Sequence, residues 1–156
     1  MKFSIVKYLF AFLILSSVLS CSNDDSSSKE IPNEISVADE VFKLVNEYRS
    51  EKGLKPLTRN STAEELAIDH TRYMISKKDI SHDNFNDRGD VLNEKENAVS
   101  TAENVASFYP DAKSVVAGWI NSDGHRQNIE GDYTHTGVAA IKDESGKYYY
   151  TQLFYR

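Results

Sequence analysis

Apolar residues recur at the spacing of an amphipathic helix in two stretches of the first half of the chain. The first stretch begins after Ser36, a residue type that caps helices, and ends at Gly53, with Pro56 preventing its continuation. The second opens with the sequence STAE at 61–64, which predicts a capping box, and fades near Lys77. The predicted buried faces consist of Val37, Val41, Leu44, Val45 and Tyr48 in the first helix, and of Leu66, Ala67, His70, Tyr73 and Met74 in the second.

A third helical pattern lies between Asp111 and Gly124 and contains the only tryptophan of the chain, Trp119. Its apolar positions are Ala112, Val115, Val116, Trp119 and Ile120. Asp111 is expected to cap the start of this helix, and Gly124 is expected to end it in a left-handed turn. The turn would then present His125 and Arg126 side by side at one wall of a cleft.

The other segments predict a loop and three strands. Residues 79–101 show no sustained period and are rich in Asp, Asn and Arg, which predicts a long surface loop. Residues 103–108 predict a short strand, while residues 136–141 and 148–154 predict a hairpin because the turn cluster DESG joins them. This order of elements predicts an α+β domain in which helices cover an antiparallel sheet.

The N-terminal 20 residues have the layout of a secretory signal, with Lys2 and Lys7 ahead of an apolar run at 8–19. That run is too short to form a transmembrane helix. The only cysteine of the chain, Cys21, follows the run after a single residue, Ser20. We interpret this segment as a lipoprotein signal peptide and Cys21 as the lipidated residue. The alternative is an ordinary signal peptide followed by an incidental cysteine.

These features predict three parts of the chain: a lipoprotein signal peptide at 1–20, a flexible tether at 21–35 and a single folded domain at 36–156. The lipid anchor predicts a lipoprotein of the cell envelope, in the outer membrane. An acidic pair shortly after Cys21 is consistent with exposure at the cell surface. With one cysteine the chain forms no internal disulfide, so the apolar core must stabilise the fold without one.

The charge balance argues against several classes of partner. The 156-residue chain has 24 acidic and 18 basic residues, a net charge of −6. Removal of residues 1–20 takes away two lysines and no acidic residue, which leaves 16 basic residues and a net charge of −8. An acidic domain is poorly suited to bind nucleic acid, because the phosphate backbone repels it. No nucleic acid partner is therefore expected.

Six short motifs, in order, give the domain a resemblance to a known family. They are LVNEYRSEKGLKPL at 44–57, ISHDNF at 80–85, AENVA at 102–106, VAGWINSDGHRQNI at 116–129, HTGVAA at 135–140 and YYYTQLF at 148–154. Together they resemble the CAP superfamily of cysteine-rich secretory proteins, antigen 5 and pathogenesis-related proteins. The nearest pattern is that of its bacterial branch of SCP-like extracellular proteins.

The resemblance implies an α-β-α sandwich with a central cleft, which in many eukaryotic members holds two histidines and two acidic residues, and these histidines can bind zinc. His82 is similar to the first family histidine, and Glu103 to the glutamate of the family's GEN-like motif. Ser122 occupies the place of the second acidic residue, so the set is incomplete. His125 and His135 both remain candidates for the second histidine. Zinc, if it is bound, would be held by His82 with His125 or, alternatively, His135.

His82, Glu103 and His125 are the candidate cleft cluster, and three functions are open to it. The leading hypothesis is a binding or interaction module, expected to be a monomer, whose ligand is an unidentified protein, lipid or glycan. The second is a zinc-dependent hydrolase in which Glu103 activates water. The third is a carrier of sterol or fatty acid. The resemblance implies no defined reaction, so enzymatic activity is left open.

The other polar residues near these positions receive a structural interpretation. His70 lies on the apolar face of the second helix, which is typical of a core histidine, and we exclude it from the site. No nucleophile is evident. Ser81 and Ser122 stand close to cleft histidines in the sequence, but neither lies in a nucleophile-elbow motif.

Overall fold

The computed structural model describes residues 36–156, so the predicted signal peptide, the tether and Cys21 lie outside the described residues. The elements, in order, are α1 (Val37–Glu51), β1 (Thr58–Arg59), α2 (Ser61–Lys77), α3 (Phe85–Glu96), β2 (Thr101–Ser107), α4 (Ala112–Asn121), α5 (Asp123–Glu130), β3 (His135–Lys142) and β4 (Tyr148–Tyr155). Every helix within 36–156 is too short or too polar to cross a membrane.

Within this part of the chain, four strands form one sheet in the order β1-β3-β4-β2. The predicted hairpin is confirmed, because β3 and β4 pair antiparallel along their whole length. The Asp143 side chain stabilises the turn by accepting bonds from the Ser145 and Lys147 amides. β2 pairs antiparallel with the other edge of β4, which places Glu103 opposite Leu153 and Leu153 opposite Gly137. β1 pairs parallel with the start of β3.

One face of the sheet packs against α1, α4 and α5, and we call it the α4 face. Trp119 is buried there, as predicted, and its indole N–H donates to the Val105 carbonyl at 3.3 Å. The cap predicted for α1 is confirmed, since Ser36 Oγ accepts from the Asp39 amide. The core of this face contains Val41, Val45, Leu57, Ala102, Ala106, Ala112, Val115, Val116, Trp119, Ile129, Val138, Tyr150 and Phe154.

The opposite face packs against α2 and α3, and we call it the α2 face. Its small apolar clusters join Ala67, Ala139 and Leu153, then Ala63, Leu92, Ala98 and Tyr155, then Met74, Val105 and Tyr149. Gly137 allows the start of α2 to approach the sheet, because a Cβ there would lie 2.1 Å from the Ala63 carbonyl carbon. Helices on both faces of the sheet confirm the predicted α-β-α sandwich.

The predicted long loop at 79–101 is wrong, because residues 85–96 form α3. Only Arg88 and Leu92 of α3 are buried. One of these is a charged residue, so the segment lacks the apolar period by which an amphipathic helix is detected. The polar composition that suggested a loop therefore belongs to a surface helix held mainly by tertiary contacts.

Two predicted helix ends are also wrong. Asn60, and not a capping box at 61–64, caps α2, because its side chain accepts from the Ala63 amide at 2.9 Å. Gly124 does not end the tryptophan helix in a left-handed turn. Extended backbone at Ser122 ends α4, and Gly124 lies inside α5. The cap predicted at Asp111 is confirmed and forms a capping box with Ser114.

Candidate functional site

Glu103 is the centre of a buried charged cluster on the α2 face. Its side chain, 1% exposed, projects from β2 toward α2 and α3. Arg88 of α3 donates to both carboxylate oxygens, with Nε–Oε2 and Nη2–Oε1 distances of 2.9 Å. A third contact, of 2.8 Å, joins Oε1 to the Nδ1 atom of His82. The guanidinium fork therefore balances the buried negative charge and fixes the orientation of the carboxylate.

His82 connects this buried cluster to solvent. It lies in the segment between α2 and α3, and 55% of its side chain is exposed. The Glu103 carboxylate at Nδ1 favours a proton on that nitrogen and orients the ring. Nε2 is then the ring atom left to meet a ligand, and in the neutral ring it accepts hydrogen bonds.

His70 is buried, as predicted, but it lies beside Glu103 rather than apart from the site. Its Nε2 atom is 2.7 Å from the Ser81 carbonyl and 3.7 Å from Glu103 Oε1. Burial lowers the pKa of His70, although the negative charge of Glu103 opposes that shift. Because His82 follows Ser81 directly, the bond from His70 to Ser81 positions the segment that carries His82.

An open groove of about 330 Å³ runs along β2 beside His82, and we call it the His82 groove. It is lined by His82, Phe85, Thr101, Ala102, Glu103, Asn128 and Tyr133. The Asn128 amide donates to the Glu103 carbonyl at 3.2 Å and to Asn104 Oδ1 at 2.9 Å, which fixes α5 against the edge of β2. The groove thus combines aromatic, amide, hydroxyl and imidazole groups.

A buried arginine on the α4 face holds the segment that carries Tyr133, one of the residues that line the groove. Arg49 of α1 donates to the carbonyls of Lys55, Ile129, Gly131 and Tyr133 at distances between 2.6 and 3.3 Å. Burial lowers the pKa of Arg49. These bonds close the segment that follows α5 and position Tyr133, so Arg49 is a positioning residue for the groove.

His125 does not join the Glu103 cluster through its side chain. Its Nδ1 atom lies 2.9 Å from Ser122 Oγ, and its main-chain carbonyl accepts from Asn104. Burial lowers the pKa of His125, and the positive charge of His82 lowers it further. The structure thus brings His82 and Glu103 into contact, while the His125 side chain bonds to Ser122 instead.

His135 and Arg126 have separate local partners. The His135 ring stacks on Tyr155 at 4.9 Å, and its Nδ1 atom is 2.8 Å from Thr134 Oγ1. It lines a different pocket, on the side where Arg49 lies. Arg126 donates to the Ile120 carbonyl and to the Asp123 carboxylate, a local structural role at the junction of α4 and α5.

The described residues do not fit the zinc site that the resemblance implies. Within 36–156, no group of three or more His, Cys, Asp or Glu side chains is arranged to hold a metal ion. Arg88 occupies both oxygens of Glu103, so a cation at that carboxylate would face a guanidinium group. Two imidazoles alone would leave zinc short of the three protein ligands typical of a catalytic centre.

Known proteins share this fold and sequence pattern. The uncharacterized membrane protein YlbC of Bacillus subtilis is 34% identical over 119 residues, which are 74% of this chain and 33% of YlbC. An extracellular protein containing a SCP domain from Bacillus anthracis str. Ames superposes with a TM-score of 0.67 at 30% identity, over 77% of this chain and 40% of that one. This chain thus spans a third of YlbC and two fifths of the Bacillus anthracis protein.

A third similarity shows the fold alone. An outer surface protein from Borrelia burgdorferi superposes with a TM-score of 0.68 at 21% identity, over 78% of this chain and 96% of that one.

The family match covers most of the described domain. Residues 42–154 match the family described as the Cysteine-rich secretory protein family, CAP. The chain belongs to the CAP family, in agreement with the resemblance seen in its six motifs.

Proposed function

We propose that this protein is an extracytoplasmic binding module of the cell envelope, and that its ligand binds in the His82 groove. The observation that carries the proposal is the contact between His82 and the buried Glu103 carboxylate. Arg88 holds both oxygens of that carboxylate, so Glu103 is poorly placed to act as a free base. Its effect is to orient an exposed imidazole, which suits ligand recognition.

The groove lining favours a polar, uncharged ligand with hydroxyl or amide groups. His82 offers a ring nitrogen, Thr101 a hydroxyl, and Phe85 and Tyr133 half-buried aromatic rings. Aromatic rings give flat contact area, and the polar groups give orientation. A glycan or glycopeptide of the cell envelope combines these features, so we propose this ligand class.

The location rests on the sequence and on the relatives. Cys21 follows an apolar run after a single residue, Ser20, which supports lipidation and attachment to the outer membrane. The similar proteins described above are named as membrane, extracellular or outer surface proteins. We expect Cys21→Ala to release the protein from membranes or to block its maturation, as measured by membrane fractionation. A variant that fractionates with membranes like the wild type would contradict the anchor.

The alternative functions receive less support from the groove. The zinc-dependent hydrolase would use His82, Glu103 and His125, but Arg88 already neutralises the carboxylate that such an enzyme needs. A sterol or fatty-acid carrier needs an apolar cavity, whereas the His82 groove is lined partly by Glu103, Asn128 and Thr101.

One thermal-shift experiment separates these functions. The purified protein is titrated with soluble peptidoglycan fragments, with zinc chloride and with a fatty acid, because a ligand of the native state raises Tm with its concentration. We expect the fragments to raise Tm in the wild type and in His135→Ala, and to lose this effect in His82→Ala. The absence of any shift with the fragments would contradict the proposed ligand class. A zinc shift that His82→Ala and His125→Ala abolish would favour the hydrolase, and a fatty-acid shift would favour the carrier.

A further inference from the structure

Ser122 and His125 form a hydrogen-bonded pair that the His82 groove does not use. Ser122 is the residue between α4 and α5, and its Oγ atom lies 2.9 Å from the Nδ1 atom of His125. Both side chains are partly exposed, so a reagent in solvent reaches them. A hydroxyl within hydrogen-bond distance of an imidazole is the arrangement by which histidine activates a serine nucleophile.

Ser122 does not have the usual role of a residue at its position. A serine that precedes a helix generally caps it, with the side-chain oxygen accepting from a backbone N–H of the first turn. Ser122 makes no such capping bond to α5. Its hydroxyl is instead directed to the imidazole, whereas Asp111 at the start of α4 forms a full capping box.

The surroundings of the pair leave space for an acyl group. Gly124 is exposed, and a Cβ added there would meet no atom within 4 Å. The first backbone N–H groups of a helix lack partners within that helix, so those of Asp123 and Gly124 are available to a carbonyl oxygen near Ser122. The Asp123 side chain is 85% exposed and paired with Arg126, which keeps it away from the serine.

We propose that Ser122 is a nucleophile for carboxylic esters and that His125 is its general base. Ser122 Oγ forms a bond to the ester carbonyl carbon while its proton passes to His125 Nδ1. The bond from that carbon to the ester oxygen then breaks, and the leaving alcohol takes the proton from Nδ1. Water hydrolyses the acyl-serine in the same way, which regenerates Ser122 and releases the carboxylic acid.

Labelling with a fluorophosphonate probe tests this inference, with the site of the adduct located by peptide mass mapping. We expect one adduct, on Ser122, in the wild-type full chain. Ser122→Ala should abolish the adduct, and His125→Ala should slow labelling by about 10²-fold because the base is lost. Ser81→Ala is the matched control, since Ser81 also neighbours a histidine in the chain and should leave labelling unchanged.

A second variant, Ser122→Cys, distinguishes loss of the nucleophile from loss of the folded structure. Ser122→Cys keeps an attacking atom at the same position, and p-nitrophenyl acetate should acetylate the introduced thiol, measured as an intact-mass gain with circular dichroism unchanged. An adduct on another residue, no adduct on the folded wild type, or labelling of His125→Ala at the wild-type rate would overturn the proposal. The His82 groove is tested by ligand binding, so the two proposals fail independently.

Discussion

The two faces of the sheet bury their side chains by different physical means. On the α4 face, Trp119, Tyr150 and Phe154 are at most 1% exposed and form one continuous apolar core. On the α2 face, the apolar contacts are divided into small clusters, and a charged cluster centred on Glu103 lies beside them. The first face depends on shape, on apolar area and on the bonds from Arg49 to main-chain carbonyls, whereas the second depends also on charge pairing between side chains.

On the α4 face, the polar groups of Trp119 and Tyr150 form hydrogen bonds that allow these aromatic side chains to be buried. Trp119 and Tyr150 meet edge to face, with their ring centroids 6.5 Å apart. The Trp119 N–H donates to the Val105 carbonyl, and the Tyr150 hydroxyl donates to the Tyr109 carbonyl. Burial raises the pKa of Tyr150, so this hydroxyl remains neutral and a donor. Apart from His125 on α5, whose pKa is lowered by burial, this face should respond little to pH in the neutral range.

On the α2 face, polar contacts connect the buried Glu103 carboxylate to the exposed His82. Glu103 and Arg88 are buried, His70 holds the segment before His82, and His82 opens into the groove. The candidate site therefore lies where the core is least continuous. Burying a charged pair costs free energy. Here the buried pair of Glu103 and Arg88 orients the exposed His82.

The largest expected effect is on the α4 face. Trp119→Ala should lower the free energy of unfolding by about 3–5 kcal/mol, because it removes a fully buried aromatic side chain and leaves a cavity. Urea denaturation measures this loss. Val99→Ala, at a position 78% exposed, is the control and should change stability by less than about 0.5 kcal/mol. A loss below about 1 kcal/mol for Trp119→Ala would contradict its role in the core.

The next effect concerns the charged pair. Arg88→Met should lower the free energy of unfolding by about 3 kcal/mol, because Glu103 would remain buried with only histidines beside it. Adding Glu103→Gln should restore much of that loss, since the unpaired charge is then removed. A double-mutant cycle in urea measures the coupling. Losses that simply add would show that the two side chains do not depend on each other.

The sequence was sufficient for the fold but not for every helix. The long amphipathic stripes of α1, α2 and α4 and the hairpin were predicted because local period and turn residues specify them. α3 was missed because it buries only Arg88 and Leu92. Its stability comes from contacts with α2 and β2, which no local pattern contains.

The site was predicted only in part for the same reason. His82 and Glu103 were named from the family resemblance, and they are in contact at 2.8 Å. Arg88 was missed because a charged residue in a polar segment is typical of a surface, and its burial depends on a carboxylate 15 positions away. The sequence predicts only a core role for His70, because a helical pattern shows that a face is buried, not what it is buried against.

Two glycines on the α2 face should respond to the same substitution with opposite signs. Gly137→Ala should lower stability by about 1–3 kcal/mol, because the new methyl would meet the α2 backbone at 2.1 Å. Gly89→Ala, inside α3, should raise stability by about 0.5–1 kcal/mol, because alanine favours helices and its Cβ would only touch Thr101 at 3.4 Å. Both are measured by urea denaturation. Equal losses would show that α3 tolerates no side chain there.

The smallest expected effect is a pH dependence carried by His70. Burial lowers the pKa of His70 in the folded state, whereas the unfolded chain keeps the ordinary value of about 6.5. Below that pH the unfolded state binds a proton that the folded state does not, so the free energy of unfolding falls as pH decreases from about 7.5 to about 5.5. Glu103 opposes the shift, while Arg88 and His82 strengthen it, so the net slope is modest.

His70→Gln separates this slope from other titrations. The variant should lose stability at neutral pH, because the Ser81 carbonyl loses its imidazole partner, but its stability should change less with pH than that of the wild type. The partly buried His125 adds a slope of the same sign, so some pH dependence remains in the variant. Val99→Ala, at an exposed position without a titratable group, is the control and should keep the wild-type slope. If His70→Gln kept the wild-type change of stability with pH as well, His70 would not carry that change. The α2 face would then differ from the α4 face in its buried charges but not in the pH dependence of its stability.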